Sequence, residues 1–128
     1  MVVQTYFNQI KALVDEYTTT SFVLEDNVNF DTRPGNQGYL LGSITFRDHS
    51  SLYFKEFVDV TGAVIDKVMY SYHYQDADHR LIFRYDNARH KPPLASPEHK
   101  HLPEDVITTP APTLADILAE IIAVQGWV

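Results

Sequence analysis

The sequence predicts an α+β fold: a five-stranded antiparallel sheet in meander order, with an N-terminal and a C-terminal helix packed on one face. Three observations carry this expectation. Apolar residues recur at helical spacing at the two ends of the chain, the middle alternates with the period of strands, and turn residues divide that middle into hairpins. The 128 residues fit a single domain spanning 1–128, and 45% hydrophobic against 21% charged is the balance of a globular chain.

Val3, Tyr6, Phe7, Ile10, Leu13, Val14 and Tyr17 lie three or four apart and form one apolar stripe, which predicts a helix over about 3–16. The run TTTS at 18–21, rich in β-branched residues, ends it and opens a strand that reaches about Phe30. Asp31 to Gly38 reads as a turn. Gly38 to Phe46 and Leu52 to Val60 are strands joined by an odd-length loop that opposes Phe46 to Leu52 and Ile44 to Phe54. Thr61-Gly62 turns the chain into a strand from Val64 to Gln75, and after DADH the strand Leu81 to Asp86 completes the sheet.

Pairing across DADH with an even loop opposes Tyr74 to Leu81, Tyr72 to Phe83 and Tyr70 to Tyr85. The tyrosines then share one face, and Ser71, His73, Gln75, Arg80, Ile82, Arg84 and Asp86 share the other. In that register His73 stands beside Ile82 and Arg84 beside Ser71. Across Thr61-Gly62 two registers remain: one opposes Glu56 to Lys67 and joins both to the face of His73, the other moves them away. Glu56 is a secondary candidate for that reason.

Six of the seven prolines fall between Asn87 and Pro112, which therefore reads as one long loop, a length more often functional or disordered than neutral, and its histidines and lysines favour function. Thr113 as N-cap, Asp116 three residues on, an apolar face of Leu114, Ile117, Leu118, Ile121 and Ile122, and Gly126 as a stop predict the last helix over about 113–125.

No cysteine is present, which excludes disulfide scaffolds, thiolate metal sites and cysteine nucleophiles and points to the cytoplasm. The first residues form no basic leader, and no apolar run is long enough to span a membrane, so no membrane association is expected. The net charge of −7 argues against attraction of the whole surface to nucleic acid. The charge is uneven, however: residues 70–101 sum to +1 and the remainder to −8.

That window, YSYHYQDADHRLIFRYDNARHKPPLASPEHKH, also holds five of the six histidines. If the loop folds back over the strands, His90, His99, Lys100 and His101 converge on His73, Arg84 and Asp86. Such a group matches the working parts of a metal-independent ribonuclease, in which an imidazole or amine takes the 2′-hydroxyl proton and a guanidinium neutralises the phosphorane. Aromatic rings would stack on bases. A structural alternative stands beside it, in which Arg84 and Asp86 form a plain ion pair, His73 is a hydrogen-bonded sheet residue and the tyrosine row is core. His99-x-His101 with His90, His73 or Asp86 would also make an N/O ligand set, but without a recognised metal motif, so no metal and no cofactor are assigned. Glu56, Asp59, Asp66 and Asp86 share no motif for carboxylate-bound magnesium.

YSYHYQ (70–75), FRYDNARH (83–90) and PEHKH (97–101) resemble the TumE family, small bacterial proteins that are the toxin half of a toxin–antitoxin pair. The resemblance implies a short domain with a leading helix, strands and a trailing helix, and a helix-turn-helix DNA-binding antitoxin as partner. It brings no catalytic assignment; Arg84, Asp86, Asn87, His90, His99 and His101 carry over as motif positions only.

The combined expectation is a toxin that cleaves or binds RNA. His73, Arg84, Asp86, His90, His99 and His101 are its catalytic candidates, and Tyr85, Asn87 and Lys100 its substrate-binding candidates. Arg84 would hold phosphate, His73 and His90 or a loop histidine would transfer protons, and Asp86 would orient one of them. The alternative is a non-catalytic interaction module, with its aromatic sheet face and basic loop docked on a protein and with homodimerisation.

Overall fold

A computed structural model describes residues 2–88 and 98–127. Among these residues the order is α1 (Val3–Thr18), β1 (Val23–Arg33), β2 (Gln37–Phe46), β3 (Ser51–Thr61), β4 (Val64–Gln75), β5 (Leu81–Asp86), β6 (His99–Leu102), β7 (Asp105–Thr108) and α2 (Leu114–Gln125). All strands join one antiparallel sheet in sequence order, β1 to β7. The expected antiparallel meander with a helix at each end is present. The expected count of five strands is corrected to seven, because part of the segment read as loop pairs onto β5 as a further hairpin.

Both helices cover the same face. Leu40, Ile44 and Phe46 of β2, Leu52, Phe54 and Val58 of β3, Tyr70, Tyr72 and Tyr74 of β4 and Phe83 of β5 are buried there with Phe7, Ile10 and Val14 of α1 and Leu114, Ile117, Leu118 and Ile121 of α2. On α1, Tyr6 hydrogen-bonds Glu56, and Phe7 lies so close to Gly38 that a Cβ there would overlap its ring. On α2, Gln125 Nε2 donates to Tyr74 Oη at 2.6 Å and Glu120 Oε1 accepts from Tyr85 Oη at 2.5 Å. The capping box holds as expected: Thr113 Oγ1 accepts from Asp116 N, Asp116 Oδ2 accepts from Thr113 N, and Gly126 closes the helix at φ 69°. Trp127 then stacks on Phe22 with ring centroids 5.6 Å apart.

The hairpins keep the expected faces but not the expected registers. Ile44 opposes Leu52, not Phe54, because the β2–β3 loop tightens around His49 at φ 66°. Tyr74 opposes Phe83 and Tyr72 opposes Tyr85, two residues away from expectation. There the loop is longer by one residue, with Asp76 N bonded to Arg80 O and His79 at φ 65°, and a bulge beside Gln75 restores the parity. His49 and His79 thus occupy left-handed positions that histidine tolerates better than most residues.

Candidate functional site

The face away from the helices carries two transverse rows of residues, set by strand register alone. One row runs Ser43, Tyr53, His73, Arg84, His101 and Val106 across β2 to β7. The other runs Leu41, Lys55, Ser71, Asp86, His99 and Thr108. Successive members of a row are cross-strand neighbours whose side chains meet. Five of the sequence candidates, His73, Arg84, Asp86, His99 and His101, therefore form one block.

Asp86 is the centre of that block. Its side chain is 6% exposed, and its Oδ2 accepts from Arg84 Nε at 2.8 Å. Its Oδ1 lies 2.5 Å from Nε2 of the fully buried His99 and 3.5 Å from Nε2 of His101, whose side chain is 21% exposed. Burial pushes the Asp86 carboxyl upward, but the Arg84 hydrogen bond and the charges of His99, Arg84 and His101 outweigh it and hold the group below the usual aspartate range.

His73 has a defined tautomer. Arg84 Nη1 lies 3.4 Å from His73 Nδ1, and a guanidinium only donates, so Nδ1 accepts. Nε2–H then donates to Gln75 Oε1 at 3.1 Å, and Gln75 Nε2 donates to His79 Nδ1 at 2.9 Å. The relay fixes Arg84 from the side opposite Asp86. Burial lowers the His73 pKa most, the Gln75 bond opposes this, and the Arg84 charge lowers it further. The folded imidazole thus holds its proton more weakly than an unfolded histidine does. As pH falls below about 6.5 the unfolded chain binds more protons, and stability falls. His73→Gln is expected to flatten the dependence of melting temperature on pH between 7.5 and 5.5; an unchanged slope would show that His73 does not hold its proton more weakly in the folded chain.

A groove of about 290 Å³ opens beside this block and is lined by Leu41, Tyr53, Lys55, Ser71, His73 and Arg84, among others. Leu41, Tyr53 and Lys55 were missed by sequence reasoning, whereas Ser71 was placed on this face. The signal for the missed residues was parity: the hairpins that place His73 and Arg84 on one face place these three there too.

Other candidates are elsewhere. Tyr85 and Lys100 face the helices, where Lys100 Nζ reaches Glu120 Oε2 at 2.9 Å and lies 4.9 Å from the Tyr85 ring centroid. Asn87 ties the end of β5 to β4, with Oδ1 accepting from Tyr70 N and Nδ2 donating to Val68 O, both at 3.1 Å. Glu56 takes the register that separates it from His73: it opposes Tyr70 and is buried under the helices, bonded to Tyr6 and Tyr72. His90 lies outside the described residues. The sequence leaves open whether the loop folds over the strands; residues 99–108 instead extend the sheet sideways.

A family model described as toxin TumE matches residues 10–125. The chain belongs to this family. Membership in TumE makes it a toxin of the toxin–antitoxin kind, with an antitoxin as its general class of partner. Comparison with curated proteins and with solved structures finds no match. Among the described residues, no helix is long and apolar enough to cross a membrane.

Proposed function

We propose that this TumE-family toxin cleaves RNA at the Arg84–Asp86–His101 block without a catalytic metal, and that its antitoxin is a helix-turn-helix protein, as the family resemblance implies. The observation that supports it most is the doubly anchored guanidinium. Arg84 is held through Nε by Asp86 and through Nη1 by His73, and it lines the groove with its remaining N–H groups uncommitted among the described residues. A positioned guanidinium with donors to spare suits a phosphate whose charge grows during displacement.

His101 is the proton-transfer group in this reading. It is more accessible than His99, it stands directly across from Arg84, and Asp86 lies within reach to orient it. It takes the proton of the 2′-hydroxyl while that oxygen attacks the adjacent phosphate, the bond to the 5′-oxygen breaks with that oxygen taking a proton from water, and a 2′,3′-cyclic phosphate is left. His73 has its Nδ1 lone pair engaged by Arg84 and acts as a positioning residue rather than a base. Lys55 and Tyr53, in the same groove, offer a second cation for the backbone and a half-exposed ring for a base. Purified toxin is expected to cut RNA in the presence of excess chelator and to leave cyclic phosphate ends. Cleavage that stops with the chelator and returns with metal, or intact RNA throughout, would overturn the proposal.

A further inference from the structure

The two oxygens of Asp86 are used unequally. Oδ2 is committed to Arg84, whereas Oδ1 is buried and, among the described residues, receives no aligned hydrogen bond, although two imidazole nitrogens face it at 2.5 and 3.5 Å. The backbone creates this arrangement. His99 and His101 stand two apart on β6 and so share a face, and β5 sets Asp86 directly across from His99.

We propose that Asp86 Oδ1, His99 Nε2 and His101 Nε2 form a site for one divalent transition-metal ion of the zinc and cobalt class. The ligand atoms of these three residues lie within 4.8 Å of one another. Around a tetrahedral ion with bonds of about 2.0–2.2 Å, ligand atoms stand about 3.3–3.6 Å apart; the 3.5 Å between Asp86 Oδ1 and His101 Nε2 matches that spacing, and the 2.5 Å to His99 Nε2 is shorter than it. Side-chain rotations of under about 1 Å would seat the ion at such bond lengths. Two imidazoles and one carboxylate are a borderline donor set, which favours zinc, cobalt, nickel or iron over the oxygen-seeking magnesium and calcium. Arg84 supplies the outer hydrogen bond that such sites require, fixing the carboxylate through Oδ2 so that Oδ1 remains for the ion. Three protein ligands leave a fourth position for water or a phosphate oxygen.

The site stands on its own geometry, and its effect on activity rests on the ribonuclease reading above. An ion bound at Nε2 of His101 withdraws that imidazole from RNA cleavage, so occupancy silences the toxin.

Cobalt(II) titration of the untagged full chain is expected to give visible absorption bands that saturate at one ion per chain and that zinc(II) abolishes. Asp86→Asn and His101→Ala, each checked for folding by circular dichroism, are expected to weaken binding by roughly a hundredfold or more. His49→Asn, in a distant hairpin, is expected to leave it intact. Absence of the bands in the wild-type chain would remove the site, and bands that survive both ligand substitutions would identify an adventitious ion only and remove it equally. In parallel, saturating zinc(II) is expected to slow RNA cleavage at least tenfold, with recovery on chelation. Bands together with cleavage that zinc leaves unchanged or accelerates would retain the site and overturn the role given to His101.

Discussion

Replacing Arg84 with alanine is expected to lower RNA cleavage by on the order of 10²–10³-fold, equivalent to about 3–4 kcal/mol of transition-state stabilisation, and to release cells from growth arrest. The size follows from what the guanidinium does in the block. Its Nε and Nη1 are occupied by Asp86 and His73, which hold its plane without using its other donors. A phosphate entering the groove meets a cation already oriented, so little entropy is lost as charge builds on the phosphorane. Lysine at the same position retains the charge but has neither the fork nor a second anchor, and Arg84→Lys should recover only a small part of the lost rate. The same alanine variant is expected to keep its fold and its binding to antitoxin, which separates lost chemistry from lost structure. Full toxicity and undiminished cleavage in a folded Arg84→Ala protein would sink the enzyme reading and leave the interaction module.

Much of this site was legible in the sequence because β-strand parity is strict. Tyr70, Tyr72, Tyr74, Phe83 and Tyr85 were assigned one face and His73, Arg84 and Asp86 the other, and the structure agrees. Registers were less legible. A three-residue loop with His49 in the left-handed region, and a five-residue loop with His79 there combined with the bulge beside Gln75, each preserve parity while sliding the pairing by two. Residue type signals those conformations only weakly. The bulge that leaves Val68 between Met69 and Lys67 had no sequence signal, yet it turns Lys67 toward the helices, where it meets Tyr72.

The missed strands have a clearer cause. Six prolines between Asn87 and Pro112 argued against regular structure. Three of these prolines flank strand sequences: Pro97 and Pro103 bracket the proline-free EHKHL, and Pro103 and Pro110 bracket EDVITT, whose β-branched residues suit a strand. Spacing between prolines carried more information than their number. Once β6 is recognised, His99 and His101 need no folding over of the loop to reach Asp86, since register places them there.

The largest effect on stability is expected at Glu56, far from the block. Its carboxylate is fully buried between α1 and the sheet, where Oε1 accepts from Tyr6 Oη and Oε2 accepts from Tyr72 Oη at 2.5 Å. Lys67 Nζ bonds Tyr72 Oη at 2.7 Å and also the carbonyl of Pro112, just before α2. Burial lowers the Lys67 pKa, while the charges of Glu56, Asp116 and Glu98 oppose the shift. Burial and the adjacent Glu56 drive the Tyr6 and Tyr72 hydroxyls far above their usual range, so both are neutral donors at any working pH. One carboxylate thus links the first helix, the sheet and, through Lys67, the approach to the last helix. Glu56→Ala removes the acceptor of two hydroxyls and the counter-charge of a half-buried lysine, and it leaves a void as well. The expected cost is about 3–5 kcal/mol, because the groups left behind are buried without replacement partners. Urea unfolding should report that loss directly, together with a melting temperature lower by roughly 10 °C or more. Glu56→Gln retains the shape and one acceptor oxygen and should lose less than half as much. A loss under about 1 kcal/mol in Glu56→Ala would mean that the aromatic core holds both helices without this polar link.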